Sequence, residues 1–212
     1  MLENIHWLGH DSFRIDGSVT VYIDPWKLPA GLPAAGLILI THDHYDHLSL
    51  PDVEALAGPD TVVVGPPSVT AQVEDLPTVT LAPGETVDAR GVPVTGVAAY
   101  NLDKYRSPGE PYHPREAAGL GYVFRLDGVR YYHAGDTDAV PEMAAVHCDV
   151  ALLPVGGTYT MNAEEAAAAC DMIDAAAAVP MHYGDIVGGV GDAERFRDLC
   201  SIPVTILPRE RS

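Results

Sequence analysis

The chain has 212 residues, enough for one α/β unit with a substantial core. Only 12 Lys and Arg stand against 30 Asp and Glu, a formal net charge of −18 at pH 7, and such a surface repels the phosphates that nucleic-acid-binding proteins hold with Lys and Arg. Cys148, Cys170 and Cys200 are odd in number, far apart and without metal-ligand spacing, which argues against a disulfide framework and for a reducing, cytoplasmic setting.

Residues 5–8, 13–15 and 19–23 read as short strands, with Asp16-Gly17 as a hairpin turn. His10 lies in the loop between the first two, as a substrate contact or as a loop hydrogen-bonder. Asp24 ends the third strand ahead of Pro25. Residues 37–40, Leu-Ile-Leu-Ile, are short, continuous and apolar, the pattern of a strand buried on both faces. That strand runs straight into Thr41-His42-Asp43-His44-Tyr45-Asp46-His47. In extended backbone His42 and His44 point to the same side, so both imidazoles can reach one ion. Asp46 and His47 follow after a turn and can serve a second ion beside it. Imidazole nitrogen with carboxylate oxygen suits zinc, iron or manganese.

A helix begins near Ser49, carries Pro51 in its first turn and stops near Gly58-Pro59. Residues 61–64 read as a strand, 66–73 as a short helix, and 78–81, 86–88 and 92–99 as further strands. Residues 100–118 carry Pro108, Gly109, Pro111 and Pro114 and show neither helical nor strand period, so a long loop is expected to cover the site and select substrate. It divides a single domain into two halves, about 1–100 and 119–212. Residues 121–126 and 129–133 form a hairpin across Asp127-Gly128, with His133 a packed strand residue, and the chain leaves it through Ala134-Gly135-Asp136-Thr137. Residues 150–153 are another buried strand. Asn162 with Glu165 reads as the cap of a helix over 163–178, and 178–181 as a short strand presenting His182. A helix over 192–199 and a strand over 204–207 complete the chain. Strands thus end at Asp24, His42, Asp136 and His182, and strand ends are where α/β sheets place their sites.

The run from Thr41 to His47 resembles the signature of the metallo-β-lactamase superfamily of metal-dependent hydrolases. Trp7-Leu8-Gly9-His10-Asp11-Ser12-Phe13, Tyr22-Ile23-Asp24-Pro25-Trp26, His133-Ala134-Gly135-Asp136-Thr137 and Pro180-Met181-His182-Tyr183-Gly184 are similar to blocks of its small stand-alone branch. That branch lies near the ascorbate-6-phosphate lactonase and N-acyl-phosphatidylethanolamine phospholipase D types. The resemblance implies a four-layer αββα sandwich and one or two ions per chain, zinc first, with manganese or iron as alternatives. It puts His42 and His44 at one ion, Asp46, His47 and His182 at the other, Asp136 as the bridge, and Asp24 beneath, orienting a ligand. Asp46 is alternatively an unligated general base. The superfamily places a further ligand histidine just after the strand over 92–99, where this chain has Ala99-Tyr100-Asn101. Asn101, or His113 from the loop, is left to complete the first position.

The implied activity is hydrolysis of an ester, lactone or amide of a small substrate by metal-activated water, with a phosphodiester as the alternative on the same site. An iron-dependent oxidoreductase and a metal-binding protein without turnover are readings of other classes. The acidity is equally well a solubility device that is silent on the substrate. Without a charged-then-apolar leader or a long apolar run, no membrane insertion is expected, and oligomeric state is left open.

Overall fold

The computed structural model describes residues 2–210. Six strands lie side by side in chain order in the first sheet: β1 (Ile5–Gly9), β2 (Ser12–Ile15), β3 (Val21–Ile23), β4 (Ala35–Leu39), β5 (Ala57–Gly65) and β6 (Thr78–Thr80). Pairing is antiparallel from β1 to β3 and parallel from β3 to β6. The chain continues through β7 (Thr86–Ala89), β8 (Val92–Ala98), a ribbon of β9 (Tyr105–Ser107) with β10 (Glu110–Pro111), then β11 (Leu120–Leu126), β12 (Val129–His133), β13 (His147–Pro154) and β14 (Asp174–Met181). The second sheet has the order β14-β13-β12-β11-β8-β7, antiparallel from β7 to β12 and parallel from β12 to β14. Four helices are α1 (Leu50–Leu56), α2 (Pro67–Thr70), α3 (Ala163–Met172) and α4 (Val190–Leu199).

The period of two explains the layers. Leu37 and Leu39 of β4 face the second sheet and share a core with Tyr122 and Phe124, while Ile38 and Ile40 face outward onto Val53 and Leu56 of α1. The run is apolar throughout because both faces are covered. On the far side α3 and α4 pack against β14, with Ala166, Ala169 and Phe196 buried. Helix, sheet, sheet and helix stack as an αββα sandwich.

Three expected elements differ. The helix over 163–178 ends at Met172, and Asp174–Met181 is strand β14. Alanine's helix preference is a weak prior, and here it is overridden by parallel pairing with β13. Ala178 N also donates to Pro203 O, and Thr205 N to Ala178 O. Residues 204–207 form no strand of their own, only a bridge from Val204 to Ala178. The loop over 100–118 contains the β9–β10 ribbon and a 3-10 turn at Arg115–Ala117. Because β7 and β8 belong to the second sheet, the sheets divide between residues 80 and 86, ahead of that loop. All three cysteines are unpaired. Among the described residues no helix is long and apolar enough to cross a membrane.

Candidate metal centre

Beyond β4 the chain stays extended, with Ile40 N donating to Val64 O. Thr41 N and Oγ1 then donate to Asp24 Oδ1 and Oδ2 at 2.8 and 2.7 Å. The same carboxylate accepts from His47 Nδ1 at 2.7 Å, and Thr41 Oγ1 accepts from His42 Nδ1 at 3.0 Å. Each imidazole is thereby held through Nδ1–H and turns an Nε2 lone pair inward, as metal-ligating histidines do. Both Nε2 atoms are buried and without a hydrogen-bond partner. Asp24 thus joins Thr41 and His47 through one buried carboxylate.

His113 returns to the cluster from the loop. Asn101 N donates to His113 O and His113 N to the side-chain Oδ1 of Asn101, both at 2.8 Å, so two hydrogen bonds tie the loop to Asn101. His113 Nδ1 donates to the same Oδ1 at 3.0 Å, which leaves Nε2 3.2 Å from His44 Nδ1 and 3.3 Å from Asp136 Oδ2. Asn101 Nδ2 donates to Tyr159 O at 2.9 Å, so the amide oxygen is directed to the histidine rather than to the cluster. Of the two residues left open for the first position, His113 joins His42 and His44, with ligating atoms within 4.8 Å of one another, and Asn101 supports it.

Asp136 is delivered beyond β12 by Gly135, at φ +66°, where a Cβ would come within 2.7 Å of Leu120 O. Its Oδ1 lies 3.4 Å from His47 Nε2, and its Oδ2 lies 3.3 Å from both His113 and His182 Nε2. One carboxylate therefore stands between the two groups of imidazoles. His182 leaves β14 with its N donating to His10 O at 3.1 Å. Asp46 Oδ2 lies 3.2 Å from His10 Nε2 and 3.9 Å from His47 Nε2. His10 is fully buried and does not line the cleft, so it contacts Asp46 from behind rather than facing a substrate. His10, Asp24 and His182 have φ of 50, 44 and 58°, a backbone strain that collects at functional sites.

Sequence reasoning passed over Asp11, Thr41 and Arg106. Asp11 is fully buried, its two carboxylate oxygens lack hydrogen-bond partners, and His133 Nε2 donates to its backbone O at 3.0 Å. His133 itself is a packed strand residue. Over the cluster opens a cleft of about 270 Å³, with His44, Asp46, His113, Asp136 and His182 at its floor. Tyr45, Tyr112, Tyr159 and Ile186 form its walls, with Arg106 from β9.

A family model described as a beta-lactamase superfamily domain matches residues 4–182. The chain belongs to the metallo-β-lactamase superfamily. It is 35% identical over 201 residues to a "UPF0173 metal-dependent hydrolase" of Methanoregula boonei, covering 92% of this chain and 88% of that one. A relative of the same name from Methanoculleus marisnigri is 37% identical over 196 residues, covering 90% and 85%. The crystal structure of a protein from Parabacteroides distasonis, described as a metal-dependent hydrolase, is 31% identical with a TM-score of 0.84, covering 95% and 91%. A metallo hydrolase from the archaeon Ignicoccus hospitalis, at 22% identity, TM-score 0.75 and coverage of 97% and 94%, shares the fold.

Charge inside this superfamily site is divided. For His47 burial opposes protonation, but Asp136 and Asp24 outweigh it and hold the imidazole well above its usual value. His182 is pushed up to about 9 by Asp136 and Asp11 against the same opposition. Burial likewise opposes ionisation of Asp136, and His182 and His47 hold it well below the carboxylate range. His42 and His44 go down, through burial first and neighbouring imidazoles second. The metal-free protein therefore carries protons on His47 and His182 at neutral pH, and a metal must displace them. The contribution of His182 to metal-free stability is full below the unfolded value of 6.5 and is lost as pH rises through about 9, and that of His47, raised in the same direction, has the same sign. His42 and His44, lowered from 6.5, act only below that value. We expect the metal-free melting temperature to fall between pH 6.5 and about 9 while zinc affinity rises and calorimetry records proton release. Zinc binding that releases no protons at pH 7 would contradict this charge state.

Proposed function

We propose that the chain is a binuclear metal-dependent hydrolase of small, anion-bearing esters, lactones or amides. One observation carries the reading: His42 Nε2, His47 Nε2 and Asp136 Oδ1 are buried, unpartnered and converge on one space. A buried polar atom left unpaired costs about 1–3 kcal/mol, and several in one place are accounted for by cations. His42, His44 and His113 would hold one ion, Asp46, His47 and His182 the other, with Asp136 shared. Cations held there, zinc in the simplest case with manganese or iron as alternatives, would supply a water with a pKa lowered to about 7 and a means of polarising the bond under attack.

The chain's own residues supply the rest. Asp24 and Asn101 hold imidazoles in the required tautomer. His10 positions Asp46 Oδ2, which, if it stays unligated, accepts the proton of the attacking water as a general base. Aromatic walls from Tyr45, Tyr112 and Tyr159 exclude water and favour a substrate with an apolar body. Arg106 has no ion pair among the described residues, and its guanidinium lies 5.8 Å from the Tyr112 ring centroid. A cation at the cleft of so acidic a chain suits a substrate carboxylate or phosphate. The phosphodiester alternative shares that feature. The acidic surface fits a diffusible small molecule rather than nucleic acid, in a cytoplasmic setting.

The test is elemental analysis of untagged protein purified without chelator, followed by a panel of aryl esters, lactones and phosphodiesters in neutral and anionic forms. Two ions per chain and chelator-sensitive hydrolysis are expected. Asp46→Asn should lower kcat by about 10²–10⁴-fold with the fold intact, and Arg106→Gln should raise KM for anionic members alone, by about tenfold. Protein that holds no metal after metal-replete growth would end this reading.

A further inference from the structure

Asp11 lies in the turn between β1 and β2, and its environment is unusual for a carboxylate. The side chain is fully buried and neither oxygen meets a hydrogen-bond donor. Burying an unpaired carboxylate costs several kcal/mol. Its nearest ionisable neighbours are three imidazoles, with Nε2 of His10, His47 and His182 at 3.5, 3.7 and 3.9 Å from the same oxygen, Oδ2. These separations suit atoms that share an ion: two ligands about 2.1 Å from one cation lie roughly 3 Å apart at right angles and about 4.2 Å apart when opposed. One ligating atom from each of the four residues lies within 4.8 Å of the other three.

The turn is also held where it is. Trp7 Nε1 donates to His10 O at 2.9 Å, His133 Nε2 donates to Asp11 O at 3.0 Å, and Ser12 Oγ donates to Asp24 O at 2.5 Å. Three elements thus fix the backbone on both sides of Asp11, so its carboxylate does not depend on a mobile loop for its place.

We propose that Asp11 is a ligand of the second metal position and makes that position selective for a harder ion than the first. This assignment rests on the binuclear reading. The first position has three imidazoles, from His42, His44 and His113, and a share of Asp136. The second has His47 and His182 with three carboxylates, from Asp11, Asp46 and Asp136, while His10 Nε2 is engaged by its hydrogen bond to Asp46 Oδ2 at 3.2 Å. Imidazole-rich sets suit zinc, whereas oxygen-rich sets suit manganese, which accepts higher coordination numbers. The centre is accordingly a mixed one, zinc beside manganese, with Asp11 neutralising the charge of the second ion.

The experiment loads metal-free protein with zinc and manganese together in excess, removes unbound metal and measures each element per chain, with manganese also followed by electron paramagnetic resonance. One zinc and one manganese are expected. Asp11→Asn and Asp11→Ser should lose the manganese, with second-site affinity at least about tenfold weaker, and keep the zinc. A wild type that takes two zinc ions, or variants that retain manganese, each overturn the role of Asp11 while leaving the binuclear reading standing. A wild type that binds no metal overturns that reading as well.

Discussion

Replacing His113 by alanine should remove one ion per chain and lower turnover by about a thousandfold, roughly 4 kcal/mol of transition-state stabilisation. The reason is the short list of donors at the first position. His113 Nε2 stands 3.2 Å from His44 Nδ1 and 3.3 Å from Asp136 Oδ2, and the residues directly after β8, Ala99-Tyr100-Asn101, include no histidine to take its place. A graded control separates the ligand from its support. Asn101→Ala keeps the imidazole but removes the acceptor at 3.0 Å that sets its tautomer, and a loss of that kind weakens metal binding by about 10–100-fold. Elemental analysis at matched metal concentration distinguishes the two variants. His113→Ala protein that still holds two ions would remove His113 from the first position.

Asp136→Asn has the second large effect, because its carboxylate faces both groups of imidazoles. The variant should bind neither ion at concentrations that saturate the wild type. Its metal-free form should also lose about 3 kcal/mol of stability at pH 6, where His47 and His182 are protonated and would stand uncompensated. At pH 9 the loss should be smaller, since the imidazoles can shed their protons there. Urea unfolding at the two pH values checks the difference. Nuclear magnetic resonance titration supplies a further readout: His182, now pushed up to about 9 with Asp136 its largest source of stabilisation, should titrate lower in the variant. A metal-replete Asp136→Asn protein, or an unmoved His182 titration, would show that the carboxylate does not join the two groups.

Much of this site was legible along the chain because its signals are local. The apolar run at residues 37–40, the switch in polarity at Thr41, and the spacing of His42, His44, Asp46 and His47 are properties of covalent neighbours, and strand geometry turns them directly into positions in space. Asp24, Asp136 and His182 were legible for a related reason, since each stands where a strand pattern stops. The capping box of α3 likewise lies within four residues, and the structure has it where Asn162 and Glu165 predicted, with paired bonds of 2.8 Å.

Other parts were decided only when distant segments met. The alanines of Ala175–Ala178 favour helix by themselves, yet parallel pairing with β13 and hydrogen bonds to residues 203 and 205 satisfy their backbone as strand. His113 is 12 residues from Asn101, in a loop without period, and only closure of that loop brings its imidazole to His44. Asp11 reads locally as a turn residue; it becomes a buried carboxylate without a hydrogen-bond donor because His133 and His182, from the other sheet, pack over it. Chain order by itself determined which residues end the strands, because period and motif belong to neighbours. Which further imidazole and carboxylate complete the cluster was left to the stacking of two sheets and the path of one loop, because burial and ligand convergence depend on groups far apart in sequence.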